Sequence, residues 1–349
     1  MRPITPLVRA ITEQDLDGLM LLALQTGGGM TTLKPDRALL SERVAIACAS
    51  FAETIAPARR DYLFVMDDIT SGRLVGVCAI KSAVGLDEPF YNYRLGTLVH
   101  SSRELDVFSK METLYLSNDL TGSAELCSLF LHPDYRIGSN GKLLSKSRFL
   151  FMAQFPHLFP ERLIAEMRGF QREDGTSPFW DSLGAHFFKM DFDRADALSS
   201  PGKKAFIAEL MPRHPLYVDY LTASARDVIG MVHVATAPAR HLLEQEGLHY
   251  EGYVDIFDAG PVLQGRTSEL RALRESTRAV VAPFGMAASA GKPVLISTTD
   301  LRDFRCIATC AQVRHGQVAL TPDDQRLLKC RDGSQVRTMA LDSRKNPHA

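Results

Sequence analysis

The sequence lacks the features that mark membrane, secreted and nucleic-acid-binding proteins. It contains no run of the roughly 18 apolar residues that a transmembrane helix needs, and its N-terminal "MRPITPLVRAITEQDLDGLM" has no signal-peptide character. Charge of one sign is also missing, because 40 Lys and Arg stand against 41 Asp and Glu, for a formal net charge of -1. We therefore expect a soluble, cytoplasmic protein that acts on small molecules, with neither nucleic acid nor membrane as a partner.

Cysteine is scarce, and its placement argues against a disulfide framework. Six cysteines stand in apolar surroundings, as reduced core thiols do: Cys48, Cys78, Cys127, Cys306, Cys310 and Cys330. Only Cys306 and Cys310 lie close together, and neither a second pair nor a nearby histidine accompanies them. We expect no metal site.

The 349 residues provide enough length for about two domains, and the 45% hydrophobic content is enough for a sizeable core. Thr12 is a predicted N-cap of a helix that ends at the glycines 27–29. The runs Asp61 to Asp68 and Arg73 to Gly85 flank the turn "ITSG" and predict a β-hairpin. The segment "YNYRLGTLVHSS" predicts a further strand.

The stretch "LCSLFLHPDYRIGSNGKLLSKSRFLFM" predicts a buried strand over 126–131, a glycine-bearing loop and a helix from about 140 to about 155. Backbone N–H groups at a helix N-terminus bind phosphate without help from any particular side chain. The loop residues between Arg136 and Gly141 are therefore a candidate pyrophosphate site. The alternative is a strand-to-helix turn whose glycines serve geometry alone.

Two later segments share a helix, turn and strand pattern. They are "SPFWDSLGAHFFKMDF" and "TAPARHLLEQEGLHYEGYVDIFDAGP", each with a proline near the predicted helix start. The short run "RLIAEMRGF" before them predicts one more strand. The shared pattern suggests an internal repeat, but the repeat is too short to establish a duplicated domain.

The chemistry of the sequence changes beyond Pro261. The segment "VVAPFGMAASAGKP" reads as a linker, the runs from Val294 to Leu341 predict a small β-rich module, and "DSRKNPHA" predicts a frayed tail. We expect an α+β protein in which residues 1–275 form the main region, either as one domain with an insertion or as two half-domains of about 1–200 and 201–275. Residues 290–345 form the C-terminal module.

The motif "LFLHPDYRIGSNGKLL" resembles the acyl-CoA binding motif of the GNAT acyltransferase superfamily, in which an Arg-x-x-Gly-x-Gly loop leads from a strand into a helix. The resemblance implies a GNAT-like fold with a mixed, mostly antiparallel sheet and either an internal insertion or a second GNAT-like half. The loop amides would take the CoA pyrophosphate, and the strand backbone would pair with the pantetheine arm. The implied CoA-binding residues are Leu129, Leu131, Arg136, Gly138, Ser139, Asn140 and Gly141. Ser139 departs from the pattern, which has glycine at that position.

Longer stretches resemble the arginine N-succinyltransferase family over roughly the first three quarters of the chain. They include "LQTGGGMTTL", "PFYNYRLGTLVH", "LYLSNDLTGSAELCSLFLHPDYR", "KAFIAELMPRHPLY" and "YVDIFDAGP". The resemblance implies transfer of succinyl from succinyl-CoA, a co-substrate rather than a bound cofactor, to the α-amino group of L-arginine. It also implies a homo-oligomer or an oligomer with a related subunit. Alternatives are a transferase acting on ornithine or another basic amino acid, and a non-catalytic partner subunit or CoA-dependent sensor.

His233 matches the catalytic histidine of the family, described there as a proton donor, and its ordinary pKa near 6.5 suits proton exchange at neutral pH. Leu129 matches the succinyl-CoA contact of the family. Glu125, at the start of the same strand, is a candidate base for the attacking amine. A packed histidine, a core leucine and a solvated strand end are the respective alternatives.

The two substrates require charged groups of both signs. A guanidinium calls for carboxylates, for which Asp119, Glu125 and Glu166 are candidates. The succinyl carboxylate calls for a cation at the far end of the acyl pocket. The candidates for this cation are Arg94, Lys146 and Arg168.

Overall fold

The computed structural model of the protein describes residues 5–26, 30–192, 194–195, 209–212, 214–283 and 291–342. The predicted helix end at 27–29 and most of the predicted linker and tail lie outside these residues. At the N-terminus, a 3-10 turn begins after Thr12, whose N–H donates to the Asp15 carboxylate at 2.7 Å, and runs on into helix α1, Leu16–Ala23. The predicted N-cap is confirmed.

Sixteen strands of the described residues form one sheet. They are β1 Pro6–Ala10, β2 Asp61–Asp68, β3 Arg73–Lys81, β4 Asn92–Ser102, β5 Val107–Ser117, β6 Ala124–Leu131, β7 Arg162–Glu166, β8 Leu216–Tyr217, β9 His249–Asp255, β10 Pro261–Arg266, β11 Thr277–Val281, β12 Lys292–Thr298, β13 Arg305–Ala311, β14 Val313–Arg314, β15 Gln317–Val318 and β16 Gln335–Ala340. Their order across the sheet is β14-β15-β11-β16-β12-β13-β1-β2-β3-β6-β7-β10-β9-β4-β5-β8. Only β6 with β7 and β11 with β15 pair in parallel, so the mixed, mostly antiparallel sheet is confirmed.

The helices of the described residues after α1 are α2 Arg37–Phe51, α3 Asn140–Gln154, α4 Ala185–Phe188, α5 Ala223–Arg226, α6 Ala237–Glu246, α7 Arg271–Glu275 and α8 Pro322–Leu328. Alternating side chains of β2 supply both faces of the sheet. Leu63 and Val65 pack with the buried residues of α1 and α2, while Tyr62, Phe64 and Met66 pack with those of α3. The protein is therefore α+β, with helices covering opposite faces of one sheet.

Most elements predicted from the sequence are confirmed. They include the hairpin of β2 and β3, the strands β4, β6 and β7, the helix α3, and the unit of α6 and β9. The strand predicted at the end of "SPFWDSLGAHFFKMDF" is wrong. A π-helix, Trp180–Gly184, leads into α4, and Lys189 then turns with φ of 54°. Trp180 stacks on Phe188 at 5.2 Å and lies edge-on to Phe192, so aromatic packing replaces strand pairing.

The strands β1, β2, β3, β6, β7, β10 and β9 lie side by side in the sheet. Two segments, 82–123 and 167–236, leave this run of strands and return to it. The first contains the hairpin of β4 and β5, which joins the sheet beyond β9 through the pair Tyr93↔Val254. This arrangement favours the insertion alternative over a second half-domain.

The C-terminal region is rich in strands, as predicted, but it also contains the unpredicted helix α8. Thr321 starts this helix and accepts a hydrogen bond from the Asp324 N–H at 3.1 Å. β13 pairs with β1 at Val8↔Cys306, so the C-terminal strands continue the main sheet. The proposed division into 1–275 and 290–345 stays a prediction.

Candidate active site

The parallel pair of β6 and β7 lies in the centre of the sheet and separates after two residue pairs. Ala124↔Leu163 and Glu125↔Ile164 are in register. Beyond them β6 stays with β3, and β7 stays with β10, where the Met167 N–H donates to the Pro261 carbonyl at 3.1 Å. The edge of β6 that faces β7 is therefore unpaired from residue 126 onward, and its backbone groups face a cleft.

The cleft has a volume of about 340 Å³ and passes between the two separated strands. β6 and the end of β7 form its walls, and α6 and the segment before α2 close it from opposite faces of the sheet. Its lining includes Glu125 to Phe130, Ala165 to Arg168, Asp255 to Asp258, Met30, Thr32, Arg136, Arg148, Thr236, Ala239 and Leu243. Both substrates of a group-transfer reaction can approach through such an opening.

A bulge shapes the open edge of β6. Phe130 pairs with Val77 and Cys127 with Ala79, so Ser128 and Leu129 together face one residue of β3. Ser128 has φ of 54°, which is strained for a residue with a side chain. Arg43 of α2 offsets this strain, because its guanidinium donates to the Ser128 hydroxyl at 2.8 Å while it forms an ion pair with Asp61. The bulge turns the backbone around Leu129 toward the cleft.

The predicted phosphate loop lies at the mouth of the cleft. Gly138 has φ of 54° and open space where a Cβ would stand, and the same space lies over Gly141. Ser139 has φ of −102° and is the N-cap of α3, so serine in place of the expected glycine carries no backbone strain. The Asn140 side chain donates to the Tyr135 carbonyl at 3.0 Å and holds the loop against the helix.

The first N–H groups of α3, which begins at Asn140, lack acceptors inside the helix. Arg136 donates through Nε to the Leu131 carbonyl at 2.9 Å, and its guanidinium lies 5.8 Å from the centre of the Phe130 ring. Leu131 itself is buried in the core and does not line the cleft. Hydrogen bonds of Arg136 and Asn140 thus hold the loop in place. The loop joins the end of β6, whose edge is open, to the positive N-terminus of α3.

Two of the three predicted guanidinium partners line the cleft. Glu125 is buried where β6 and β7 join, with the Lys81 ammonium 3.8 Å away. Burial lowers the pKa of Lys81, but the attractions of Glu125, Cys127 and Asp61 together outweigh it, and the net shift is upward. Glu166 accepts from the Asn92 side-chain amide at 2.9 Å. Asp119 instead lies away from the cleft, where it accepts from the Tyr253 hydroxyl at 2.9 Å.

Of the three cations predicted for the succinyl carboxylate, only Arg168 lines the cleft. Arg94 is exposed on β4 and lies 3.7 Å from Asp119. Lys146 is fully buried behind α3, where its ammonium lies 3.3 Å from Glu246 and 2.9 Å from the Leu341 carbonyl. The predictions for Arg94 and Lys146 are wrong, since neither residue lines the cleft. The sequence shows that they stand on a strand and a helix, but it does not show which face of these elements turns to the cleft.

His233 lies next to Arg168, which lines the cleft just past the end of β7. Its backbone N–H donates to the Arg168 carbonyl at 2.9 Å, just past the end of β7. The ring atom Nδ1 accepts from the Ala235 N–H at 3.1 Å. Burial and the neighbouring Arg168 charge lower the pKa of His233. The ring is therefore neutral at pH 7, and its proton is on Nε2, which is the only nitrogen left to donate.

Asp258 is a lining residue that the sequence did not identify. Its carboxylate accepts from the Gly169 N–H at 2.7 Å and from the Gly260 N–H at 2.9 Å, which fixes the end of β7 beside the turn before β10. Burial, and then the charge of Asp255, raise the pKa of Asp258 well above its usual range. Gly260 cannot be replaced here, since a Cβ would lie 2.0 Å from the Met167 carbonyl.

The open strand edge, the helix N-terminus at its end and the histidine bonded to the chain just past β7 match what the GNAT resemblance implies. Fold and site define an acyltransferase with a GNAT-like fold. Residues 6–272 match the family described as arginine N-succinyltransferase beta subunit, and residues 277–340 match the C-terminal domain of that subunit. The chain belongs to the arginine N-succinyltransferase family.

Individual relatives agree with the family. The arginine N-succinyltransferase of Enterobacter sp. (strain 638) is 48% identical over 334 residues, which are 96% of this chain and 97% of the relative. The arginine N-succinyltransferase subunit beta of Pseudomonas aeruginosa is 49% identical over 339 residues, or 97% and 99% of the two chains. The solved structure of arginine/ornithine succinyltransferase subunit AI from Pseudomonas aeruginosa has a TM-score of 0.89 at 32% identity and covers 98% of this chain and 100% of that one.

The described residues contain neither a membrane-spanning helix nor a cluster of metal-binding side chains. No helix in these parts of the chain combines the length and the apolar character needed to cross a membrane. Likewise, the described histidine, cysteine and carboxylate side chains form no group of three that can hold a metal ion.

Proposed function

We propose that the protein transfers the succinyl group of succinyl-CoA to the α-amino group of L-arginine and releases N2-succinyl-L-arginine and CoA, the first step of arginine catabolism by succinyl transfer. The observation that carries this proposal is the cleft between β6 and β7, with an open strand edge and a helix N-terminus at one end and carboxylates at the other. Arginine is the preferred acceptor because the relatives at 48% and 49% identity are named for it.

Succinyl-CoA binds as a co-substrate along β6, and no permanently bound cofactor is part of the proposal. The N–H groups of Gly138, Ser139, Asn140 and Gly141 take the pyrophosphate at the N-terminus of α3. The amide groups of the pantetheine pair with the open edge of β6 around Leu129, which places the thioester near the bulge at Ser128. Arg136 lies at the mouth of the cleft, where the carbonyl of Leu131 accepts a hydrogen bond from its guanidinium and holds it in place.

The α-amine must lose a proton as its nitrogen attacks the thioester carbon. Glu125 is the base in this account, because its carboxylate lines the cleft at the closed end and is buried against Lys81. Glu166, on the facing strand, is placed to bind the guanidinium of arginine. The N–C bond forms, the carbonyl oxygen gains charge, and the amine proton passes to Glu125 and from there to solvent.

The C–S bond breaks in the second half of the reaction, and negative charge moves to sulfur. His233 carries an N–H at Nε2, which donates a hydrogen bond to the sulfur as the charge develops. The thiolate then takes a proton from solvent as it leaves. Arg168 supports this arrangement, because its carbonyl accepts from the His233 backbone N–H and its charge adds to the effect of burial in lowering the pKa of the ring.

We also propose that the chain works as a subunit of an oligomer, either of identical chains or with a related chain. One Pseudomonas aeruginosa relative is named subunit beta, and the solved relative from that organism is named subunit AI. The mass of the active enzyme in solution tests this proposal. An active species with the mass of one chain contradicts it.

A substrate panel tests the proposed reaction. Release of free CoA is measured with succinyl-CoA or acetyl-CoA against arginine, ornithine and lysine, and the acylated product is identified by its mass. We expect fast turnover only with succinyl-CoA and arginine. Faster turnover of ornithine would favour the second candidate, an ornithine acyltransferase, which the "arginine/ornithine" title of the solved relative supports. Measurable CoA binding without turnover of any pair would point to a sensor or partner subunit.

A further inference from the structure

A buried arginine lies beside the cleft without a carboxylate to neutralise it. Arg148 of α3 is 2% exposed, and its Nε and Nη2 donate only within its own helix, to the Ser145 carbonyl and hydroxyl, each at 3.2 Å. The other buried arginine of the described residues, Arg271, has the Glu246 carboxylate at 2.8 Å. A buried charge is normally paired, so the isolation of Arg148 requires an explanation.

Arg148 lies at the depth of the acyl group rather than at the mouth. It stands about eight residues after Asn140, which is roughly 12 Å along the helix. The same distance back along β6 from Leu131 covers about four residues and ends near Cys127. This depth agrees with the position of Cys78 and Cys127, which lie just before the bulge and close enough to Arg148 to influence its pKa. Arg148 also lines the cleft.

We propose that Arg148 binds the terminal carboxylate of the succinyl group and thereby makes the acyl pocket select succinyl-CoA over uncharged acyl-CoA. The inference rests on the proposed function and adds to it the residue that reads the acyl group. Nη1 donates to no acceptor among the described residues, so it is available to a carboxylate oxygen, and the bound succinyl group supplies the missing counter-charge. Burial without a counter-ion also lowers the pKa of Arg148.

The two other arginines of the cleft are placed for different tasks. Arg136 stands at the mouth, committed to the Leu131 carbonyl. Arg168 stands beside His233, and its guanidinium donates to the Gln171 side chain. Arg168 is therefore the matched control for Arg148, as a second cleft arginine with the same charge.

The test compares succinyl-CoA with butyryl-CoA, which has a similar acyl length and no charge, in the wild type, Arg148→Met and Arg168→Met. The measured quantity is the ratio of kcat/KM for the two acyl donors with arginine as acceptor. We expect Arg148→Met to lower this ratio at least about 100-fold, and Arg168→Met to lower both values without that change in the ratio. An unchanged ratio in Arg148→Met, or the loss appearing in Arg168→Met instead, overturns the assignment.

A second measurement keeps the assignment testable if Arg148→Met does not fold. A crystal structure of the wild type with succinyl-CoA, without an acceptor amine, should place a succinyl carboxylate oxygen about 3 Å from Arg148. A succinyl carboxylate held elsewhere overturns the inference while leaving the proposed reaction intact. Failure of the reaction itself is distinct, since the wild type would then form no succinylated product.

Discussion

The Nδ1 atom of His233 accepts a hydrogen bond from the Ala235 N–H at 3.1 Å, so the neutral ring carries its only N–H at Nε2. This bond fixes the orientation of the ring from within the same turn, where His233 is the N-cap of the 3-10 segment Val234–Thr236. The residue acts as a hydrogen-bond donor, and its lowered pKa keeps it in the form that the orientation requires.

Removal of this donor should reduce catalysis and leave binding nearly intact. We expect His233→Ala to lower kcat about 100- to 1,000-fold while KM for succinyl-CoA changes little, because the donor acts on charge that develops in the transition state. The measurement is steady-state CoA release. His241→Ala is the control, since His241 is exposed on α6 and bonds to Gln245 of the same helix. A rise in KM with kcat unchanged would show that His233 only binds substrate.

The pH dependence of activity follows from the direction of the His233 shift. Protonation of Nδ1 breaks the Ala235 bond, so activity is lost as the pH falls through the pKa of the folded protein, which lies below 6.5. Arg168→Gln removes a repelling charge, so the pKa should rise toward its ordinary value and the acid limb of kcat/KM should move to higher pH. Arg172→Gln, which removes an exposed charge that binds Asp181, should leave the limb in place. A limb that stays or moves to lower pH in Arg168→Gln contradicts this account.

The strand, loop and helix of the CoA motif could be predicted from the sequence, because hydrophobic runs and glycines define these elements locally. The resemblance also predicts roles for His233 and Leu129, and the position of Glu125 at the start of the strand makes it a candidate base. The separation of β6 from β7 depends on which strands become neighbours, and this is decided by contacts between distant residues such as Glu125 and Ile164. Local pattern therefore identified the parts of the site without showing the cleft.

The same limit explains the residues that were missed or misplaced. Arg148 and Lys146 stand two positions apart on α3, so they face different directions, and the sequence gives no sign of which one turns to the cleft. Lys146, one of the three predicted cations, lies in an ion cluster, whereas Arg148, which was not predicted, lines the site. The strand predicted after α4 failed because the aromatic residues there bury against Trp180.

The loop at the mouth of the cleft gives a prediction about CoA affinity. Gly138 adopts φ of 54°, so Gly138→Val should distort the loop and weaken CoA binding at least about tenfold, as measured by calorimetry. Gly333→Val is the matched control, because Gly333 has φ of 82°, equally open surroundings and a position in the C-terminal region. We expect it to cost similar stability and leave CoA affinity unchanged. Equal affinities of the two variants would argue against the loop as the pyrophosphate site.

The ion cluster behind α3 gives a prediction about stability. Glu246 is fully buried and lies 3.3 Å from Lys146 and 2.8 Å from Arg271, so it joins α6 to α3 and α7. Glu246→Gln leaves the buried Lys146 without its carboxylate and Arg271 with only the partly exposed Glu275, and should destabilise the protein by about 3–5 kcal/mol in urea unfolding. Glu275→Gln removes a partly exposed carboxylate that also contacts Arg271, at 3.3 Å, and should cost less than about 1 kcal/mol. Similar losses for both would show that the cluster does not depend on Glu246.

The central claim is that the open edge of β6 and the N-terminus of α3 hold the acyl-CoA. Hydrogen–deuterium exchange of the backbone amides, with and without CoA, tests it most directly because the proposed contacts are made by N–H groups. The account predicts slower exchange on CoA binding in peptides that span residues 126–142, with little change in the strands from Lys292 to Ala340. CoA binding that leaves 126–142 unchanged and protects another region would contradict it.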